Sequence, residues 1–309
     1  MLERNIRRFI GCIAVAAFAS ALALPAAEAA FPGSNGRIVF DTAELFFTGT
    51  GSSQIYTARH DGSDVRQLTS VPDGVSAWNP RVSADGDRIL YVLSTDGQND
   101  QLWLMRSDGS NQHPLLEEPN WQQEAGAFTP AGRIVYSRCG SYVPAYFTCH
   151  IVSVRPDGSD RHTLVGGTWH PIDPVVASDG TIAYLSDKGG YDPRIWLIDH
   201  DGANPHPVGP TFGIGRLTWS PDASHLAFDG NFHDHPIGIY TMARDGSDLE
   251  RIAGHVAFPT WSPNGAWILF RSERSGSFGT LLRARSDGTH LTALVHGDSI
   301  GQSDWGVAR

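Results

Sequence analysis

Two histidines separated by one residue, His233 and His235, have the spacing of a metal-binding pair. Alternate residues of an extended segment project to the same side, so both imidazoles could reach one ion. His255, in a later connection, could supply a third ligand. Three neutral imidazoles with an open position describe a catalytic zinc or manganese site. The simpler interpretation, which we prefer, is a pair of solvated histidines in a polar loop, with no metal and no other cofactor.

A second short motif, Gly297-Asp298-Ser299-Ile300-Gly301, matches the G-x-S-x-G pattern of a serine nucleophile. That pattern needs a strand before it, a helix after it, and an acidic residue and a histidine further along the chain. Only eight residues follow the motif, and they fit a strand. We therefore interpret the match as accidental and predict no catalytic residue.

The start of the chain has the pattern of a secretory signal peptide. Arg4, Arg7 and Arg8 precede an apolar run of 16 residues, and Ala27-Glu28-Ala29 resembles a cleavage site. The run is shorter than the roughly 20 residues of a spanning helix, which disfavours the alternative of a membrane anchor. The pattern predicts a signal peptide at 1–29, one domain at 30–309, a secreted or periplasmic location, and no transmembrane span after cleavage.

Two cysteines, Cys139 and Cys149, remain beyond the predicted signal and flank a loop of nine residues. In an exported protein, a pair at the two ends of one hairpin loop is expected to be oxidised. The sequence therefore predicts a disulfide, with two free thiols as the alternative.

The charge balance limits the classes of partner. The formal net charge is −10, with 23 basic and 33 acidic residues. Nucleic-acid binding needs clustered lysines and arginines that neutralise phosphates, so we expect no nucleic-acid partner.

A repeated phrase supplies the frame for these residues. An aliphatic residue, five positions, Asp-Gly, five positions and a second aliphatic residue recur six times at intervals of 42 to 49 residues. The copies begin at Ile55, Leu102, Ile151, Ile195, Ile239 and Leu281. Repeats of this length with several strands each are typical of β-propellers. Asp-Gly closes tight hairpins, so we interpret these pairs as structural.

Further strands precede each phrase. A short apolar run ends in an aromatic residue in every copy, and these rings are predicted to be buried: Phe40, Tyr91, Tyr136, Tyr184, Phe228 and Phe270. An earlier strand carries a large apolar residue such as Trp219 or Trp261, but the first copy lacks it. Trp305 near the end of the chain matches that position. The sequence therefore predicts an all-β, six-bladed propeller of four-stranded blades, with the C-terminal strand closing blade 1.

These repeats resemble the TolB-like β-propeller family. The resemblance rests on Trp219-Ser220-Pro221-Asp222, Trp261-Ser262-Pro263-Asn264-Gly265, the aromatic strands and the phrase from Ile239 to Gly246. It covers nearly the whole chain beyond the predicted signal, but without the α/β domain that precedes the propeller in TolB. Some TolB-like propellers are oligogalacturonate lyases with histidine-bound metal. The resemblance therefore implies the fold, and a metal-dependent carbohydrate lyase or hydrolase as an alternative function.

The long connections between strands are the places where a propeller varies, and variable loops on a rigid scaffold usually carry function. Their aromatic and histidine residues predict contacts with a ligand: Trp78, Trp121, Trp169, His170, Phe212 and Phe232. The alternative is that these rings pad their own loops. We predict a monomeric, non-catalytic module that binds a protein or carbohydrate of the cell envelope.

The central channel offers one more candidate site. Asn79, Asp173 and Asp304 fall near the start of inner strands, where their side chains could face the axis. The equivalent positions in other copies carry Ala125, Arg216 and Phe258, which together make a poor cation cage.

Overall fold

The computed structural model describes residues 31–42, 52–95, 100–140, 148–167, 169–188, 193–211, 213–232, 235–274, 279–297 and 299–308. The predicted signal peptide, Phe212 and His233 lie outside these residues. Within the described ranges, no helix has the length and hydropathy needed to cross a membrane.

The chain forms six antiparallel sheets of four strands each, which confirms the predicted all-β propeller. The inner strands, which contact one another around the centre, are β4 (Val75–Val82), β8 (Trp121–Phe128), β12 (Ile172–Val176), β16 (Ile214–Trp219), β20 (Val256–Trp261) and β24 (Ile300–Val307). The second strands are β1 (Asn35–Thr42), β5 (Arg88–Thr95), β9 (Ile134–Gly140), β13 (Ile182–Ser186), β17 (His225–Phe232) and β21 (Trp267–Ser272).

The outer half of each blade contains the repeated phrase. The third strands are β2 (Ile55–Ala58), β6 (Gln101–Arg106), β10 (Cys149–Val154), β14 (Arg194–Ile198), β18 (His235–Ala243) and β22 (Leu281–Arg285). The outermost strands are β3 (Arg66–Gln67), β7 (His113–Pro114), β11 (His162–Val165), β15 (His206–Thr211), β19 (Glu250–Gly254) and β23 (Thr292–Val295). Blade 1 is β24-β1-β2-β3, and blades 2 to 6 follow in chain order.

The ends of the described chain close the ring inside blade 1. Strand β24 pairs antiparallel with β1, and Trp305 lies opposite Ile38 in the register. The Trp305 ring is 5% exposed, and its Nε1 donates to the Gly36 carbonyl at 3.3 Å. The predicted closure is therefore confirmed, and it removes two sheet edges that would otherwise be open for pairing.

The core lies between neighbouring sheets. All six predicted rings of the second strands are buried. An apolar residue at the end of each inner strand, aromatic in four of the six blades, reaches the preceding blade: Trp219 of blade 5 packs in one cluster with Leu185 and Leu197 of blade 4 and Phe228 of its own blade. Packing between faces of adjacent sheets, rather than within one sheet, therefore holds the blades together.

Each Asp-Gly phrase shapes a turn and also joins two blades. In blade 4, the Ala203 backbone N–H donates to the Asp201 carboxylate at 3.0 Å, and Gly202 has φ +88°. A Cβ on Gly202 would lie 2.6 Å from the carbonyl oxygen of Leu164, which closes the phrase of blade 3. The turn therefore packs on the outer strand of the preceding blade, a contact that the sequence reasoning missed.

The disulfide prediction is confirmed. Cys139 and Cys149 are register partners at the end of the β9–β10 hairpin, and their sulfur atoms are bonded. The bond ties together the two strands that lead into the loop at 141–147, whose residues lie outside the described ranges.

Candidate functional site

The propeller presents two different faces. Tight turns join the inner strand to the second and the third to the outermost; in blade 4, for example, the Gly180 N–H donates to the Ala177 carbonyl at 2.8 Å. We call this side the short-turn face. The connections from the second to the third strand and from the outermost strand to the next blade vary in length and lie on the opposite side, which we call the irregular face.

The inner strands carry β-bulges where they line the channel. The register shifts in β4, β8, β12, β16 and β20. The backbone has positive φ at Asn79, Ala125, Asp173 and Phe258. Bulges bend a strand and turn backbone groups out of the ladder, so these groups need partners from elsewhere.

Polar side chains of the second strands supply those partners. The two carboxylate oxygens of Asp41 accept the N–H groups of Asn79 at 2.8 Å and Gln302 at 3.1 Å. Ser137 Oγ accepts the N–H of Asp173, and Asp229 accepts that of Arg216. Asp41, Ser137 and Asp229 all directly follow the buried aromatic residue of their strand. Sequence reasoning missed this structural role, although the shared position after the ring was a readable signal.

Two of the predicted channel residues, Asp173 and Asp304, contact other residues of this chain. Asp173 forms an ion pair with Arg216, and the Asp304 carboxylate accepts the Val82 N–H at 2.7 Å. Burial raises the pKa of Asp304, while burial lowers the pKa of the nearby Arg81. Asn79 is 2% exposed, and its side-chain amide has no hydrogen-bond partner among the described residues.

Several buried carboxyl groups near the channel have raised pKa values. Burial, together with the charges of Asp100 and Asp173, raises the pKa of Glu124 to about 7. Burial also raises the pKa of Asp100 to about 6 and that of Asp41 to about 6. A carboxyl group with a pKa of about 6 or 7 gains or loses its proton near neutral pH. Such groups are typical of sites that bind ligands.

The Glu124→Gln variant tests this charge balance. The folded-state pKa of Glu124, about 7, lies above its ordinary value of 4.5. The folded chain therefore binds this proton more tightly than the unfolded chain, and the associated stability is lost as pH rises from about 4.5 through 7. We expect the variant to gain stability over the wild type across this range, by at most about 3 kcal/mol at pH 8.

Urea unfolding at pH 5 and pH 8 measures the difference. Glu117→Gln, at an exposed glutamate before β8, controls for the loss of one negative charge. Equal pH dependence of the Glu124 variant and the wild type would show that the channel does not hold this carboxyl neutral.

Trp121 belongs to a network of charged and aromatic side chains on the irregular face. The Arg138 guanidinium lies 3.5 Å from the centre of the Trp121 ring, and the His150 ring lies 6.0 Å from it. Glu118 accepts hydrogen bonds from Arg138 at 2.9 Å and from Arg161 at 2.5 Å. The network fixes the half-buried indole in one orientation with a cation against one face.

Trp169 and His170 lie in the connection that enters blade 4. The Trp169 side chain is 48% exposed, while its carbonyl accepts a hydrogen bond from Ser186 Oγ. His170 Nδ1 lies 2.8 Å from an Asp187 carboxylate oxygen, and the histidine has φ +40°. The backbone at and directly after Trp169 is therefore anchored, while the tryptophan side chain is exposed.

The structure does not place the other predicted contact residues beside Trp121, Trp169 and His170. Trp78 lies inside strand β4, not in a connection as predicted, because the inner strand of blade 2 begins at Val75. Its ring packs against the core cluster of blades 2 and 3, and its Nε1 donates to Ser94 Oγ at 3.2 Å. Phe232 ends β17, and Phe212 lies outside the described residues. Their binding roles stay predictions.

The predicted metal ligands do not form a site that the structure can test. His255 has φ +58°, and its carbonyl accepts the Glu273 N–H at 2.8 Å. His235 opens β18, and His233 is outside the described ranges. Within those ranges, no group of three or more histidine, cysteine or carboxylate residues is arranged to hold a metal.

Comparison with known proteins supports the fold. No protein-family model matches the chain. It is 30% identical over 192 residues to the uncharacterized protein Atu1656 of Agrobacterium fabrum, which covers 60% of each chain. The crystal structure of TolB from Acinetobacter baumannii superposes with a TM-score of 0.74 at 18% identity, over 87% of this chain and 66% of TolB.

A second superposition, with an oligogalacturonate lyase in complex with manganese, has a TM-score of 0.55 at 15% identity, over 86% of this chain and 87% of the lyase. At such identities the similarity shows the fold alone. The resemblance to the TolB-like β-propellers is confirmed at the level of the fold. The chain spans less than two thirds of the length of both Atu1656 and TolB.

Proposed function

We propose that this chain is an exported, non-catalytic propeller that binds a protein or a polymer of the cell envelope through its irregular face. Trp169 and Trp121 are the proposed contact residues. Export is supported by the basic, then apolar, then small-residue pattern at 1–29.

The exposed ring of Trp169 carries the proposal. Trp169 is the one aromatic residue among the exposed large apolar side chains of the described residues, and tryptophan is enriched where binding energy is concentrated. The hydrogen bond to the Trp169 carbonyl and the His170–Asp187 pair hold the backbone beside it, so little conformational freedom would be lost on binding.

The position of Trp121 supports binding through the same face. Its strand β8 and strand β12, which Trp169 precedes, are the inner strands of adjacent blades. Arg138 stacked on one side of the indole and paired with Glu118 gives a rigid surface of aromatic and charged groups. Such surfaces suit protein partners and the faces of sugar rings.

Affinity capture from envelope and medium fractions tests the proposal. Residues 30–309 serve as bait, beside Trp169→Ala and the double variant Trp121→Ala, Trp169→Ala. We expect the partner's affinity to fall about tenfold or more for Trp169→Ala, since interface tryptophans commonly contribute 2 kcal/mol or more (about 30-fold).

A matched control removes apolar side chains from the other face. Val65 and Leu291 are 49% and 51% exposed on the short-turn face, and their double alanine variant should bind like the wild type. The proposal is refuted if the variant without both tryptophans still binds the partner. It is also refuted if the control variant loses binding to the same extent as the tryptophan variants. Melting curves of all variants separate loss of binding from loss of fold.

The alternative of a metal-dependent lyase is supported by fold similarity to the oligogalacturonate lyase and by the three histidines of the predicted site. Metal analysis and a polygalacturonate cleavage assay, on the wild type and on His233→Ala with His235→Ala, separate it from binding.

A further inference from the structure

We infer that a cleft between blades 1 and 2, open on the short-turn face, binds a small amphipathic anion: an organic carboxylate or sulfonate with an apolar body. The cleft has a volume of about 550 Å³, within the range that accepts small organic ligands. It lies on the side opposite to Trp121 and Trp169 and does not depend on the proposed function.

The repeat explains why space exists there. The last large residue of each inner strand fills the junction with the preceding blade, and four blades use a ring: Trp305, Phe128, Trp219 and Trp261. Blade 2 has Val82 at this position. Val82 packs with Val39 of blade 1 and Ile89 of blade 2, and all three line the cleft. The cleft therefore has a small apolar side chain where four of the other five blades place a ring.

Arginines give the rim a positive charge. Arg37, Arg59 and Arg66 line the cleft and share one carboxylate, Asp64, at 2.9, 3.7 and 2.8 Å. Asp108 adds a second negative charge, and His60 adds a titratable group. Three guanidinium groups thus face two carboxylates, on a chain whose net charge is −10.

The charge and the apolar floor select one ligand class. Arg37 is occupied, because Nε bonds Thr57 and both Nη atoms bond Asp64. Arg59 has only its long contact with Asp64 and is 62% exposed, so it can turn toward an anionic head group. An apolar body would contact the partly exposed Leu68 and Val307, which line the cleft together with the buried Val39, Val82 and Ile89.

Titration with decanoate, measured by calorimetry, tests the inference. The fluorescent probe 8-anilinonaphthalene-1-sulfonate serves as a competitor for the same site. We expect one site per chain. Val82→Phe restores the ring that blade 3 has at this position, fills the floor and should weaken binding at least about tenfold. Val176→Phe makes the same change at the equivalent position of blade 4, outside the cleft, and should bind as the wild type does.

The charge requirement has its own matched pair. Blade 3 repeats the cluster as Arg133, Asp160 and Arg155. Arg59→Glu should weaken decanoate binding about tenfold, while Arg155→Glu should not, and decanol should bind at least about tenfold more weakly than decanoate. Four results would each overturn the inference. They are the absence of saturable binding, wild-type affinity in Val82→Phe, a loss in Val176→Phe equal to that in Val82→Phe, and decanol binding as tight as decanoate binding. Melting curves confirm that each variant is folded.

Discussion

A chain that ends at Ile300 should fail to fold cooperatively. Removing residues 301–309 deletes most of β24 and leaves β1 as an open edge at the centre of the ring. Loss of the buried Trp305 ring alone should cost about 3–5 kcal/mol. The hydrogen bonds from the Val82 N–H to the Asp304 carboxylate and from the Gln302 N–H to the Asp41 carboxylate disappear as well. Together these losses are comparable to the about 5–15 kcal/mol that stabilises a whole domain.

Circular dichroism and thermal melting measure this outcome. We expect low recovery of soluble protein and no sharp transition. A chain lacking only residue 309 retains all of β24 and the hydrogen bond from the Ala308 N–H to Ser34, and should melt like the full chain. A truncated chain with a normal melting transition would contradict closure by the terminal strand.

Gly202→Ala should destabilise the propeller by about 3 kcal/mol or more. At φ +88° an alanine is strained, and its Cβ would lie 2.6 Å from the Leu164 carbonyl oxygen. Backbone on both sides must separate to make room, which disturbs the junction of blades 3 and 4. Strain of this kind, together with overpacking, is among the few causes of large single-residue losses.

Gly132→Ala provides a matched control, because Gly132 has φ +73° and a Cβ there would meet nothing within 4 Å. It isolates backbone strain, which should cost about 1–2 kcal/mol. Urea unfolding of both variants gives the difference between them. Equal losses would mean that the Asp-Gly turns contribute hairpin geometry but no contact between blades.

The fold was predictable because its determinants are local and repeated. The fixed spacing inside each Asp-Gly phrase and the aromatic residue upstream of it define strands and turns within each copy, and the unmatched Trp305 indicated the missing strand. The junctions between blades were not predictable in the same way. The approach of Gly202 to Leu164 and the bridging of bulges by Asp41 join residues from different blades, and spacing within one copy carries no record of them.

The candidate site was predicted only in part. Trp169 could be proposed as a contact residue because an aromatic residue in an irregular connection stands out from the repeat. Trp78 was placed in a connection because its strand continues past the bulge at Asn79, which no residue pattern marks. The network around Trp121 needs Glu118, Arg138 and Arg161, and Arg161 is 43 residues from Glu118. Sequence spacing gives no sign of that contact.

Hydrogen–deuterium exchange of residues 30–309, with and without the partner recovered by capture, tests the central claim most directly. Binding through the irregular face predicts slower exchange at 119–124 and 167–172, and unchanged exchange at the Asp-Gly turns of the opposite face. Protection confined to those turns, with the segments around Trp121 and Trp169 unchanged, would contradict the account.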